Sequence, residues 1–217
     1  MQSTHTFFSP GKIILSGEHS VVYDYPAIVM SIDLGVIVAS PSPPHKTQLQ
    51  HSPHIEYILK LFRENTHTSL QDFSFRITST LPQNSGLGSS AALSYALFQA
   101  CADWENLKLN KDQYFSLIQK AEVFAHGKPS GIDASVVVFQ GCLRFQRLQG
   151  TFERERIQIL QLPHFMLIQS GKAQETTKQM VEHIAQIPLK NIIMKEIGIV
   201  TNQMIKQIKH SAFDGTL

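Results

Sequence analysis

The sequence predicts an α+β fold, strand-rich at its start and helix-rich towards its end. Three observations carry this. The first forty residues hold short β-branched and aromatic runs separated by turn residues. Two later stretches, 90–103 and 111–125, contain no Gly or Pro and read as helices. Strands and helices do not alternate regularly enough for a βαβ array. The chain has 217 residues, 42% hydrophobic and 17% charged, enough for a real core in one large domain or two small ones.

Taken in order, Phe7 and Phe8 lead into a strand through Lys12 to Leu15. Val21-Val22-Tyr23, Ala27 to Ile32 and Gly35 to Ala39 read as further strands. Residues 40–53 are rich in Pro, Ser, His and Gln and read as a loop. Ser52-Pro53 opens a helix, with Pro at the first helical position and Ile55, Ile58, Leu59 and Phe62 on one face. Phe73, Phe75 and Ile77 alternate with polar residues as a half-buried strand. Helix 90–103 follows, then helix 111–125, whose apolar side is Phe115, Ile118 and Val123 and which Gly127 and Pro129 stop. Ser130 to Ala134 opens a short helix. Residues 143–148 and 157–162 read as a strand pair joined through Gly150, 165–169 as a strand, and 173–187 and 189–209 as helices.

The net charge of +2 and the lack of a Lys/Arg cluster argue against nucleic-acid or membrane-surface partners. Cys101 and Cys142 fall in apolar runs and read as small core residues. No signal-peptide pattern and no apolar run near ~18 residues is visible, so a cytoplasmic protein is expected.

Three polar clusters interrupt the apolar segments. The central one is Gly86-Leu87-Gly88-Ser89-Ser90. Glycines allow close backbone approach, and a helix start offers unpaired N–H groups and the positive end of the helix dipole. Two hydroxyls complete an anion site suited to phosphate. The same residues also suit a simple glycine turn capped by Ser89. The second cluster is Lys12 with Gly17-Glu18-His19. Lys12 sits in a strand of Ile and Leu, either snorkelling to solvent or held by a carboxylate. Glu18 and His19 project from a loop, as substrate-contacting residues or as a solvated turn. The third runs from Glu122 through His126 to Asp133. Glu122 and His126 share a helix face, but no Cys or His supplies further zinc ligands. A carboxylate with serine and phosphate oxygens suits Mg²⁺ better. Asp133 at a helix start also suits a capping role.

The loop is neither a Walker A motif nor a dinucleotide fingerprint. Gly88-Ser89-Ser90-Ala91-Ala92 approaches a hydrolase nucleophile elbow, with Asp133 and His164 or His183 in the right order. The elbow needs a strand running straight into its glycine, and Pro82 to Gly86 is loop chemistry instead.

With these clusters together, the chain resembles the GHMP kinase superfamily, and the mevalonate kinases within it. Ser9-Pro-Gly-Lys-Ile-Ile-Leu-Ser-Gly-Glu-His-Ser-Val-Val-Tyr23 is similar to the family's first motif and Leu81 to Ala92 to its phosphate-binding motif. Glu122-x-x-x-His-Gly-Lys-Pro-Ser-Gly-Ile-Asp133 resembles a segment of mevalonate kinases. The resemblance covers about residues 7–205. It implies ATP-dependent phosphorylation of the mevalonate 5-hydroxyl, with ATP and Mg²⁺ bound and mevalonate as the small-molecule partner. On this resemblance, Gly86, Leu87, Gly88, Ser89 and Ser90 cradle the ATP phosphates, and Ser90 and Glu122 hold Mg²⁺. Asp133 is the base, Lys12 pairs with it, and Glu18, His19 and Thr177 lie beside the substrate. It also implies a domain over residues 1–162 like the second domain of ribosomal protein S5, then an incomplete ferredoxin-like domain over 163–217.

The sequence departs from the family pattern at three places. Asn84 and Asp24 each stand where the family usually has Gly, and the glycine-rich motif usual near the C-terminus does not occur. Without that part, the helices at 173–187 and 189–209 are expected to expose apolar faces (Met180, Val181, Ile184; Ile193, Ile197, Met204, Ile208) and to self-associate. The alternatives carried with this reading are a catalytically impaired relative acting by ligand or protein binding, and a kinase for another small alcohol such as phosphomevalonate.

Overall fold

The computed structural model describes residues 3–41, 52–82, 85–127, 129–148, 150–159, 166–168 and 177–210. Strands β1 (His5–Ser16), β2 (Ala27–Ser40), β3 (Arg76–Ser79), β4 (Cys142–Leu148) and β5 (Thr151–Ile157) run in the order β1-β2-β4-β5, with β3 also pairing β2. The described registers are antiparallel: β2 with β3, β2 with β4, and β4 with β5. Among the described residues the helices are α1 (Pro53–Thr66), α2 (Ser89–Trp104), α3 (Lys111–His126), α4 (Ile132–Phe139), α5 (Thr177–Ala185) and α6 (Lys190–His210). The α+β class read from sequence is observed.

The chain divides into two compact units. The first is Met1–Gly11 with Ile32–Phe139. Its core is a cluster of four helices, in which α1 packs on α2 and α3, and α4 on α2 and α3. Helix α1 starts where the sequence says it should: Pro53 fills the first position and the Ser52 hydroxyl accepts from the Ile55 N–H at 3.3 Å. Helix α3 carries a full capping box between Asn110 and Gln113. Helix α2 is buried on most of its circumference, with Ala91, Ala92, Ala96, Ala100 and Ala102 letting its neighbours approach closely. Phe62 and Phe98 stack at 6.1 Å between α1 and α2. Cys101 is buried here with a free thiol, as its setting in the sequence suggested.

The second unit is Lys12–Ser31 with Gln140–Leu217. The β4–β5 hairpin pairs with the first half of β2, and Ile28, Cys142, Ile157, Ile205 and Ile208 form a core cluster beneath α6. The Ser16 and Thr201 hydroxyls meet at 2.7 Å, and Lys209 bonds Glu155.

Several element expectations need correction. Val21-Val22-Tyr23 is a 3-10 turn (Ser20–Tyr23), because the Val21 N–H bonds back to Gly17 and closes a turn instead of a ladder. The two early strands are one, β2. Phe73 and Phe75 precede β3, since Leu70 and Asp72 take positive φ and the ladder to β2 begins at Ala39↔Arg76. The second hairpin strand is Thr151–Ile157, because a tight turn at Gly150 sets Leu148 opposite Thr151; of the expected 157–162, residues 158 and 159 are not in a strand and 160–162 lie outside the described residues. Residues 166–168 are not in a strand, and residues 165 and 169 lie outside the described residues. Of the apolar faces expected on the last two helices, Met180 and Ile193 are exposed, Ile184, Ile197 and Met204 half-buried and Ile208 buried; Ile192 on α6 and Ile187 and Leu189 between the helices are also exposed. The side chain of Val181 lies outside the described residues.

Candidate functional site: an uncapped helix start behind a glycine loop

The glycine loop belongs to the first unit. Gly86 and Gly88 both sit at φ +73°, a conformation that costs other residues strain. A Cβ on Gly86 would meet nothing within 4 Å, so the loop is open on that side. Leu87 between them is buried and anchors the loop. Ser85 donates to the Pro82 carbonyl at 2.8 Å and steadies the entry. Gly88 then occupies the N-cap of α2. It has no side chain to satisfy the first-turn N–H groups, and no acidic residue lies in that turn. α1 and α3 are capped by side chains and α2 is not. Its N–H groups and the Ser89 hydroxyl are therefore available to an anion. No strand runs into Gly88, since β3 ends at Ser79, so the geometry is not that of a nucleophile elbow.

Ser90 is the second residue of α2, half-buried, and its hydroxyl meets His54 Nε2 at 3.2 Å. Glu122 lies on α3 and is only 2% exposed. A carboxylate that deep requires hydrogen bonds, a counter-charge or a metal ion. Asp133 lies half-buried in the first turn of α4. That start is shaped by Gly131 at φ +87° and by the Ser130 hydroxyl, which accepts from the Ile132 N–H at 3.3 Å. Ser90, Glu122 and Asp133 thus stand on three helices, α2, α3 and α4, that pack on one another.

Lys12 and the turn residues belong to the second unit. Lys12 is 8% exposed within β1, so it does not snorkel freely. Gly17 (φ +89°) begins the turn, and a Cβ there would come 2.4 Å from the Pro26 carbonyl oxygen. Glu18 is exposed and His19 half-buried, both held between β1 and the 3-10 turn. Asp24, where a glycine was expected, closes that turn at φ +66°. Asp tolerates this region better than most residues. Gln83, Asn84, Lys128 and His164, and the side chains of His126 and Thr177, lie outside the described residues. Among the described residues no group of three or more His, Cys, Asp or Glu is placed to hold a metal, and no helix is long and apolar enough to cross a membrane. His54 went unnoticed in the sequence, where it reads only as a polar position beside Pro53.

This arrangement defines a class. Residues 54–141 match the family model described as the GHMP kinases N terminal domain, and that segment of the chain belongs to the family. Mevalonate kinases are among its similar relatives. It is 27% identical to the mevalonate kinase of Methanocaldococcus jannaschii over 88% of this chain and 70% of that protein. It is 32% identical to the mevalonate kinase of Pyrococcus abyssi over 67% of this chain and 51% of that protein. The crystal structure of the Methanococcus jannaschii mevalonate kinase superposes with a TM-score of 0.78 at 24% identity, over 94% of this chain and 73% of that one. That likeness establishes the fold. The chain thus spans between about half and seven-tenths of these curated relatives.

Proposed function

We propose that this protein is a mevalonate kinase-type phosphotransferase, moving the γ-phosphoryl group of ATP to the 5-hydroxyl of mevalonate. The observation that carries the proposal is the open, uncapped start of α2 behind Gly86 and Gly88, within the segment matched to the kinase family. The N–H groups of that helix start and the Ser89 hydroxyl take the phosphates of ATP. The residues also fit Mg²⁺: Ser90 offers a hydroxyl and Glu122 a deeply buried carboxylate, the hard oxygen donors this ion prefers. When bound, Mg²⁺ neutralises phosphate charge. Asp133 takes the proton of the 5-hydroxyl as its oxygen bonds to the γ-phosphorus and ADP departs. Lys12 stabilises the negative charge that develops, and Glu18, His19 and Thr177 orient mevalonate. The protein's contribution to such a transfer is mainly positioning and charge neutralisation. In this reading residues 1–162 form the nucleotide-binding domain and 163–217 part of the second domain.

The test is ADP release from Mg-ATP with and without mevalonate, with Asp133→Asn as control. We expect mevalonate-dependent turnover, reduced roughly 10²–10⁴-fold in the variant. ATP binding without turnover, or turnover with phosphomevalonate alone, would overturn the assignment.

A further inference from the structure

The described hydrogen bond of Ser90 across to α1 is not part of the reading above, although it rests on it. His54 is the second residue of α1, just inside the Ser52 cap and Pro53, so its backbone is fixed at a well-defined helix start. Its ring stacks on Phe124 of α3, with centroids 6.2 Å apart and planes 26° from parallel. Phe124 in turn stacks on Tyr57 at 4.4 Å and 13°. The imidazole is thereby held from two helices with Nε2 directed at the Ser90 hydroxyl, 3.2 Å away.

The chemistry of a hydroxyl gives this contact a purpose. Serine has one hydrogen and two lone pairs. To ligate a cation it must offer a lone pair and send its hydrogen elsewhere. We infer that His54 is a positioning residue for the cation that accompanies the nucleotide: Nε2 accepts the Ser90 hydrogen, with the ring proton on Nδ1, and turns the Ser90 lone pairs towards a divalent metal ion. Partners of this outer kind typically govern metal affinity 10–100-fold. Nothing in the contact bears on the phosphates themselves, which the helix N–H groups receive. His54 therefore acts on metal affinity and leaves metal-free nucleotide binding alone.

Calorimetric titrations of ATP in EDTA, and of Mg²⁺ into the ATP-loaded protein, separate these roles. His54→Phe keeps an aromatic ring for Phe124 but cannot accept a hydrogen bond; His54→Gln can accept through its carbonyl oxygen. We expect His54→Phe to weaken Mg²⁺ roughly 10-fold, within the range for such partners, with ATP affinity in EDTA unchanged. His54→Gln should recover most of the loss. Adding His54→Phe to Ser90→Ala should weaken Mg²⁺ no further than Ser90→Ala does. Equal Mg²⁺ affinity in His54→Phe and wild type overturns the inference, as does an equal loss of ATP affinity in EDTA or full additivity with Ser90→Ala. Should His54→Phe not fold, His54→Gln and Ser90→Ala decide alone: a Gln variant with a 10-fold loss like that of Ser90→Ala overturns it. If Ser90→Ala leaves Mg²⁺ affinity intact, the assignment of Ser90 as a ligand fails first and this inference falls with it.

Discussion

Gly11 ties the first motif to the glycine loop, and Gly11→Ala tests whether that link shapes the site. A Cβ at Gly11 would lie 2.6 Å from Leu81 Cδ2, 2.9 Å from the Leu87 carbonyl oxygen and 3.2 Å from the Leu34 carbonyl oxygen. The Leu81 methyl can swing aside. The two carbonyls belong to the backbone, one in β2 and one between the loop glycines. Ordinary contact begins at 3.4 Å, so Leu87 must retreat by about half an ångström. Overpacking of this kind costs about 1–3 kcal/mol. In a chain of this size each kcal/mol lowers Tm by about 2–4 °C, which gives a loss of about 2–12 °C. Gly86→Ala is the matched control. It meets nothing within 4 Å and pays only for its φ of +73°, about 1–2 kcal/mol. Thermal melts with and without ATP read both effects. Gly11→Ala should destabilise the protein and weaken ATP binding by displacing Leu87. A variant that melts within 1 °C of wild type and binds ATP equally well would refute the claim that the first strand sets the loop.

Two further perturbations address the second unit. Gly198 lies in the middle of α6, where alanine would ordinarily add about 1 kcal/mol of helix propensity; here a Cβ would stand 2.5 Å from Tyr25 Cδ1, so urea melts of Gly198→Ala should show net destabilisation, relieved when Tyr25→Ala is added. Burial pushes the Cys142 thiol up to about 11, so the folded state holds that proton after the unfolded chain has released it. The stability this contributes is complete below the ordinary thiol value near 9 and is lost as pH rises through 11. Urea midpoints measured from pH 8 to 10.5 should therefore fall, and fall less steeply in Cys142→Ala than in wild type; parallel slopes would contradict the buried-thiol account.

The sequence spoke clearly where one local signal decided the outcome. Ser52-Pro53 fixes a helix start by chemistry confined to a few residues, and α1 begins there; the run 111–125, free of Gly and Pro, is α3. It misled where a partner outside the run itself decided. Residues 151–156 read as part of the connection before a strand starting at 157, yet Thr151–Ile157 is itself the strand because β4 offers a ladder one tight turn away. Val21 and Val22 have strand propensity, but the carbonyl of Gly17 captures the Val21 N–H first. The same division holds in the site. The loop glycines and serines were legible because positive φ and helix starts leave marks in adjacent residues. The contact of His54 with Ser90 joins positions 36 apart and is visible only once α1 packs on α2.

The missing cap on α2 connects stability to function. A side-chain cap is worth about 1 kcal/mol, and α1 and α3 both have one. A capping residue needs extended backbone at the N-cap so that its side chain folds back on the first turn. Gly88 instead lies at φ +73°, ψ +28°, a left-handed conformation from which that fold-back is not available. The loop geometry therefore excludes a cap, and serine at this position would add strain without gaining its hydrogen bond. The open N–H groups follow from the way Gly86, Leu87 and Gly88 enter the helix. The stability forgone there is the cost of a helix start free to take a ligand's negative charge.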